Sequence, residues 1–297
     1  MYTTQQTNFT VLLPIVITLI ISILAGLIFK AEPDRRRDGA ILVGVVGAIL
    51  TAWLTQFPSP WPLPKDTTRL LPIIVLLSAA AGIGLIIARV SPRAIAHANN
   101  KVSSGVAAVV TGVFAALAVA YVTRDVRLIA LALPMALVTR MTAIGIGSAD
   151  LRSPSFLASL LISGTTVGAG FVIALTGSLA LSQHVMLVGC AATGVLFGSI
   201  VLRRNLSSFA DQLVLLVGLW VTLANAAAWS KLEVWQAIVL ASVPAIAGAI
   251  ALPGLRNLKA WKSFILLSLG GAAVTAVVVI LAYRKFLTAV AADPYGY

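Results

Sequence analysis

Arg140 is the one charged residue set inside a long apolar run of this sequence, LALPMALVTRMTAIGIG. An ionisable group in such a setting is a functional candidate, because its charge must be met by a partner or by water. Asp150 and Arg152 follow in GIGSADLRSP. Two chemistries fit. The planar guanidinium of Arg140 suits a substrate or anion contact, or it pairs with Asp150 across a turn loosened by Gly145 and Gly147. A structural reading competes with both. Arg140 stands seven residues before Gly147, about 10 Å at helical rise, and a long side chain can snorkel much of that distance.

A second candidate is SGTTVGAG, Ser163 to Gly170. Gly164 and Gly168 form a GxxxG, which lets helices approach closely. If that helix is locally unwound, the hydroxyls of Thr165 and Thr166 line a polar site. Gly194 and Gly198 form a second packing pair of the same kind. Asn225 is the only asparagine well inside an apolar run, and its amide needs a partner there. The candidate substrate-binding set is therefore Arg140, Asp150, Thr165, Thr166 and Asn225, and the helix-packing set is Gly164, Gly168, Gly194 and Gly198.

Other chemistries lack their residues. The two histidines, His97 and His184, are expected in links on opposite faces, and the single cysteine, Cys190, lies in an apolar run. They cannot form a zinc cluster or a haem ligand pair, so no metal or cofactor is expected. Glu32, Asp34, Asp38, Asp66, Asp125, Asp150, Asp211, Glu233 and Asp293 are all expected in links or tails. That argues against a relay through buried carboxylates. Phosphate loops, dinucleotide fingerprints and nucleophile elbows are absent from the sequence. No catalytic residue is expected, and a lipid-phosphate enzyme would rest on Arg140, Asp150 and Arg152 alone.

The elements that must position these residues are apolar helices. Sixty per cent of the 297 residues are hydrophobic and 10% are charged, against about 25% charged in an ordinary soluble chain. Runs of this length and composition read as membrane spans. The expected fold is an all-α polytopic integral membrane protein, a single transmembrane domain of about ten helices. The spans are 9–29, 39–57, 70–88, 102–122, 128–147, 155–177, 185–202, 213–229, 234–252 and 263–283. The first is read as a retained helix and not a cleaved signal, since no basic residue precedes it. Pro134 and Pro244 fall mid-span and should kink their helices. Leu12–Ile15 opens the first span as Leu70–Ile73 opens the third, which suggests repeated helical hairpins.

Orientation follows from the basic residues in alternate links. Lys30, Arg35, Arg36, Arg37, Arg89, Arg93, Lys101, Arg152, Arg203, Arg204, Arg256, Lys259 and Lys262 share one side. Lys65, Arg69, Arg124, Arg127, Lys231, Arg284 and Lys285 share the other. Thirteen against seven, out of 21 with Arg140, places the first set in the cytoplasm and both termini outside, in a plasma or inner membrane. KAEPDRRRD, from Lys30 to Asp38, is expected as a solvated cytoplasmic turn. Trp61, Trp229, Trp235, Trp261, Tyr121 and Tyr283 fall at expected helix ends, as interfacial aromatics do.

The net charge of +12 sits in short clusters between apolar runs. It therefore suits anionic lipid headgroups at the cytoplasmic loops and not nucleic acid. The expected partners are the bilayer, those headgroups, and further copies or other chains in an oligomer. Two functions stand at this point: a permease or transporter of a small solute or lipid, and a non-catalytic scaffold or subunit of a membrane complex.

Overall fold

The computed structural model describes residues 4–29, 35–56, 154–251 and 258–292, together with Ser78, Val113, Leu117 and Leu255. Among the described residues there is no strand. Seven α-helices are present: α1 (Thr4–Ile28), α2 (Arg35–Gln56), α3 (Pro154–Leu175), α4 (Leu179–Val201), α5 (Phe209–Trp229), α6 (Val234–Ser242) and α7 (Ala260–Ala292). A 3-10 segment, Val243–Ala251, continues α6. Five stretches are long and apolar enough to cross a membrane: Arg36–Thr55, Phe156–Leu175, Leu179–Val201, Ala210–Trp229 and Ala260–Ala292. The expected span 128–147 lies outside the described residues, and 70–88 and 102–122 do so except for Ser78, Val113 and Leu117; Arg140, Asp150 and the Leu70–Ile73 half of the suggested repeat also lie outside.

Local chemistry sets the helix ends. Pro154 opens α3, where its missing N–H breaks no hydrogen bond. α3 closes in a paired-bond cap, Gly177 N–H to the Ala174 carbonyl at 3.0 Å and Ser178 N–H to Ile173 at 3.4 Å. Gly177 takes the left-handed conformation this cap needs, at φ +89°. α4 closes the same way, with Arg203 N–H bonded to Ile200 and Arg204 N–H to Ser199. There the left-handed position is filled by Arg203, at φ 52°, a conformation that costs a residue with a Cβ roughly 1 kcal/mol.

Several helices begin earlier than the apolar runs indicate, and these starts correct the expected positions of charged residues. α2 starts at Arg35, so Arg37 and Asp38 are buried in a helix and not in a solvated turn. Asp38 is at home in a first turn, where free N–H groups favour negative charge. α4 starts at Leu179, which buries His184 inside a helix instead of a link. α5 starts at Phe209, and Asp211 is fully buried within it. At the other end of the chain α7 runs 33 residues, about 50 Å, well beyond the ~30 Å of a hydrocarbon core.

Pro244 does more than kink its span. In an α-helix the Leu240 carbonyl would meet residue 244, which has no N–H to offer. Val243 N–H takes that carbonyl instead, and the chain continues as 3-10 helix to Ala251. Nine residues at 1.5 Å and nine at about 2.0 Å give α6 and its continuation ~31 Å, the thickness of a hydrocarbon core.

α5 is the central helix, with 78% of its apolar window buried, and α7 is peripheral, with 17%. α5 touches α2, α3, α4 and α6, while α1 lies against α4 and α2. Close approach depends on glycine. A Cβ at Gly194 would sit 2.7 Å from the Ile15 carbonyl oxygen of α1, and one at Gly198 would meet Ser22 of the same helix at 2.8 Å. Gly168 receives Thr275 of α7, whereas a Cβ at Gly164 would meet nothing within 4 Å. α3 and α4 pack on each other, but through Gly189 and Gly170, which receive Thr166 and Met186.

The described helices share two common ends. Arg204, after α4, bonds the Phe29 carbonyl after α1 at 3.2 Å, and Ser207 bonds Ser159 near the start of α3 at 2.8 Å. Phe264 of α7 stacks on Phe156 there, with ring centroids 6.1 Å apart. At the opposite end Trp53 meets His184, Thr176 meets Ser230 and Lys285 meets Glu233. Arg203, Arg204, Lys259 and Lys262 thus gather at one end, termed the basic end, and Lys231, Arg284 and Lys285 at the other. Gln56 and Pro154 fall at opposite ends, as the alternation of links predicts for those two positions.

Candidate functional site

Polar side chains converge where α4 turns into α5 at the basic end. The Arg203 cap throws the chain outward and aims the Arg204 guanidinium at the Gly26 and Phe29 carbonyls that end α1. Carbonyls at the end of a helix are the ones that need a partner from outside its ladder. The link then folds back under its own bonds. Ser199 Oγ accepts from Leu206 N–H at 3.1 Å, and Asn205 Oδ1 accepts from Ser207 N–H at 3.1 Å.

Ser208 and Asp211 start α5 as a capping box. The Asp211 Oδ1 accepts the Ser208 N–H at 2.5 Å and the Ser208 hydroxyl, and Ser208 Oγ faces Asp211 N–H. Two of the donors left free at this helix start, the N–H groups of Ser208 and Asp211, are thereby met. At the next residue, Gln212 Nε2 lies 3.4 Å from Ser159 Oγ, and Ser159 also donates to Ser207 at 2.8 Å. Ser159, Asp211 and Gln212 are all 0% exposed. α2 packs against α5, and Asp38 is buried near the start of α2. Arg37 lies 3.5 Å from the Asp38 carboxylate. The Asp211 Oδ2 is buried without a hydrogen-bond partner.

From Ser159 a polar face runs up α3. Ser159, Ser163, Thr166 and Gly170 recur every three or four residues, so they stack on one side of the helix. Ser163 Oγ meets Thr193 Oγ1 of α4 at 2.5 Å. Thr166 bonds the Ser163 carbonyl at 2.7 Å and fills the space over Gly189. Ser182 of α4 reaches the Gly170 carbonyl at 2.7 Å. The face is about 16 Å long at helical rise.

Of the sequence-based set, Thr165 and Thr166 are buried side by side on α3, and Thr165 Oγ1 has no hydrogen-bond partner. α3 is continuous through SGTTVGAG, so the unwound helix expected as one reading is not what positions them. Asn225 is buried on α5, fourteen residues and about 21 Å from Asp211, nearer the opposite end. Arg140 and Asp150 lie outside the described residues.

Sequence reasoning missed Asp211, Asp38, His184, Trp53 and Trp220. The Trp53 indole donates to His184 Nε2 at 3.2 Å, and His184 Nδ1 lies 2.6 Å from the Ala180 carbonyl. An indole N–H only donates and a carbonyl only accepts, so this histidine carries its proton on Nδ1. Among the described residues no group of three His, Cys, Asp or Glu side chains could hold a metal ion.

The chain matches no family model, and neither a curated protein nor a solved structure matches it.

Proposed function

We propose that the protein is an integral membrane permease for a small solute or lipid. Its basic end faces the cytoplasm, and both termini lie outside. The observation that carries this reading is the polar face of α3 joined to a fully buried carboxyl group, inside a predominantly apolar bundle. A membrane interior makes such groups costly, and they mark pathways more often than packing. Hydroxyls, amides and one carboxyl suit a neutral or cationic solute. The basic residues Arg203, Lys259 and Lys262 suit anionic headgroups at the same end.

A second reading is a non-catalytic scaffold or complex subunit. It is favoured by direct hydroxyl contacts such as Ser163 to Thr193, which glue helices without leaving a passage. It is favoured too by α7, whose Ile265, Leu266, Leu269, Val277 and Ile280 are exposed.

Cysteines placed at Ser159, Ser163 and Thr166, one at a time in a Cys190→Ser background, separate the two. A permease admits a small membrane-impermeant thiol reagent to at least one of them from the basic-end side. If all three resist labelling from both sides, the scaffold reading stands and the permease reading falls.

A further inference from the structure

We infer that Asp211 is a proton-exchanging carboxyl site at the basic end of the bundle. The first support is an asymmetry between the two oxygens of one group. Oδ1 serves the capping box and accepts both the N–H and the hydroxyl of Ser208. Capping accounts for that oxygen fully. Oδ2 is buried and accepts nothing. A bare carboxylate oxygen sealed from water is among the most costly arrangements in an apolar interior, and a proton on it removes the charge.

The second support is the company Asp211 keeps. Among the described side chains of the helices packed on α5, the charged groups near this end are Arg36, which is exposed, and Arg37 and Asp38, which are buried, all on α2. α3, α6 and the 3-10 segment carry no titratable side chain. On α4, Cys190 sits about mid-helix and His184 belongs to the opposite end. In the link before α5, the Arg204 guanidinium is engaged with Gly26 and Phe29, and Arg203 is exposed. Arg37 lies 3.5 Å from Asp38. No basic side chain among the described residues is hydrogen-bonded to Oδ2, so a proton is the means by which this oxygen sheds its charge.

The step is a simple one. An O–H bond forms on Oδ2 when a proton enters from the basic end, and it breaks when the proton returns. Nothing is oxidised or reduced. The role of this exchange as the coupling reaction of transport rests on the permease reading; the exchange itself does not, and it can be observed without any solute.

Infrared difference spectroscopy of the purified full chain, stepped between mildly acidic and mildly alkaline buffer, tests it. A carboxylic-acid C=O band that shifts in D₂O, titrates with pH and is lost in Asp211→Asn is the expected result. The Asn variant keeps an Oδ1 acceptor for Ser208, so the cap survives. Should it fail to fold, Asp211→Glu retains the acid and moves the band. No acid band in the native protein, or a band that neither Asp211 variant alters, overturns the inference.

Discussion

The indole Nε1 of Trp220 donates to the carbonyl oxygen of Ala241 at 3.1 Å. Pro244 is the reason this carbonyl needs an outside donor. In the 3-10 segment the natural partner of residue 241 is residue 244, and a proline there has no N–H. α5 thus supplies, through one buried tryptophan, the hydrogen bond that α6 cannot make for itself.

Trp220→Phe keeps most of the ring and removes the donor. It should cost about 1–3 kcal/mol, the penalty for a buried carbonyl left unmet. Pro244→Ala restores a backbone N–H, so Trp220→Phe should cost markedly less in that background. Thermal unfolding in detergent of the four proteins of this cycle measures the coupling. Equal costs in both backgrounds would break the link between the two residues.

Gly194 and Gly164, one from each GxxxG pair, should respond differently to one methyl group. Gly194→Ala drives a Cβ to 2.7 Å from the Ile15 backbone oxygen, which a side-chain rotation cannot relieve. It should destabilise the α1–α4 contact by about 1–3 kcal/mol, as overpacking does. Gly164→Ala meets nothing within 4 Å and should be neutral or slightly stabilising, since alanine is the better helix former. Matching losses in the two variants, read by thermal unfolding, would contradict this packing.

Glu233 ties the start of α6 to α7. The Lys285 ammonium, 2.5 Å away, and the Trp235 indole N–H hold its carboxyl below the usual carboxylate range. A depressed acid stabilises the fold above its unfolded pKa, about 4.3, and loses that contribution as pH falls through the folded value. The difference in melting temperature between the native chain and Glu233→Gln should therefore be constant from pH 8 to about pH 5 and shrink in more acidic buffer. The pair is exposed, so the difference should be small throughout. A gap that widens on acidification would reverse the assignment.

Much of the architecture is legible in the apolar runs, because burial in hydrocarbon demands length and little else. What they do not reveal is where a helix begins when its first turn is polar. Ser208 and Asp211 carry the S-x-x-D spacing of a capping box, which would have started α5 at Phe209 and drawn Asp211 inside. Arg37 and Asp38 were hidden by the same effect, a charged turn that is helical because its neighbours bury it. Trp220 stands mid-span, away from the interfacial positions tryptophan favours, and its N–H therefore demanded an internal partner. The approach of Ser159 to Ser207, 48 residues apart, depends on tertiary packing and has no local signal.

We propose that these helices cross a membrane with the basic end in the cytoplasm, and the short segment that ends in 3-10 helix must then cross as well. Lys231 and Lys262 are both exposed and flank it. Each is replaced by cysteine in a Cys190→Ser background, and intact cells are treated with an impermeant thiol reagent before and after permeabilisation. Lys231→Cys should label in intact cells, and Lys262→Cys only once the reagent reaches the cytoplasm. Labelling of both from the same side would contradict the crossing.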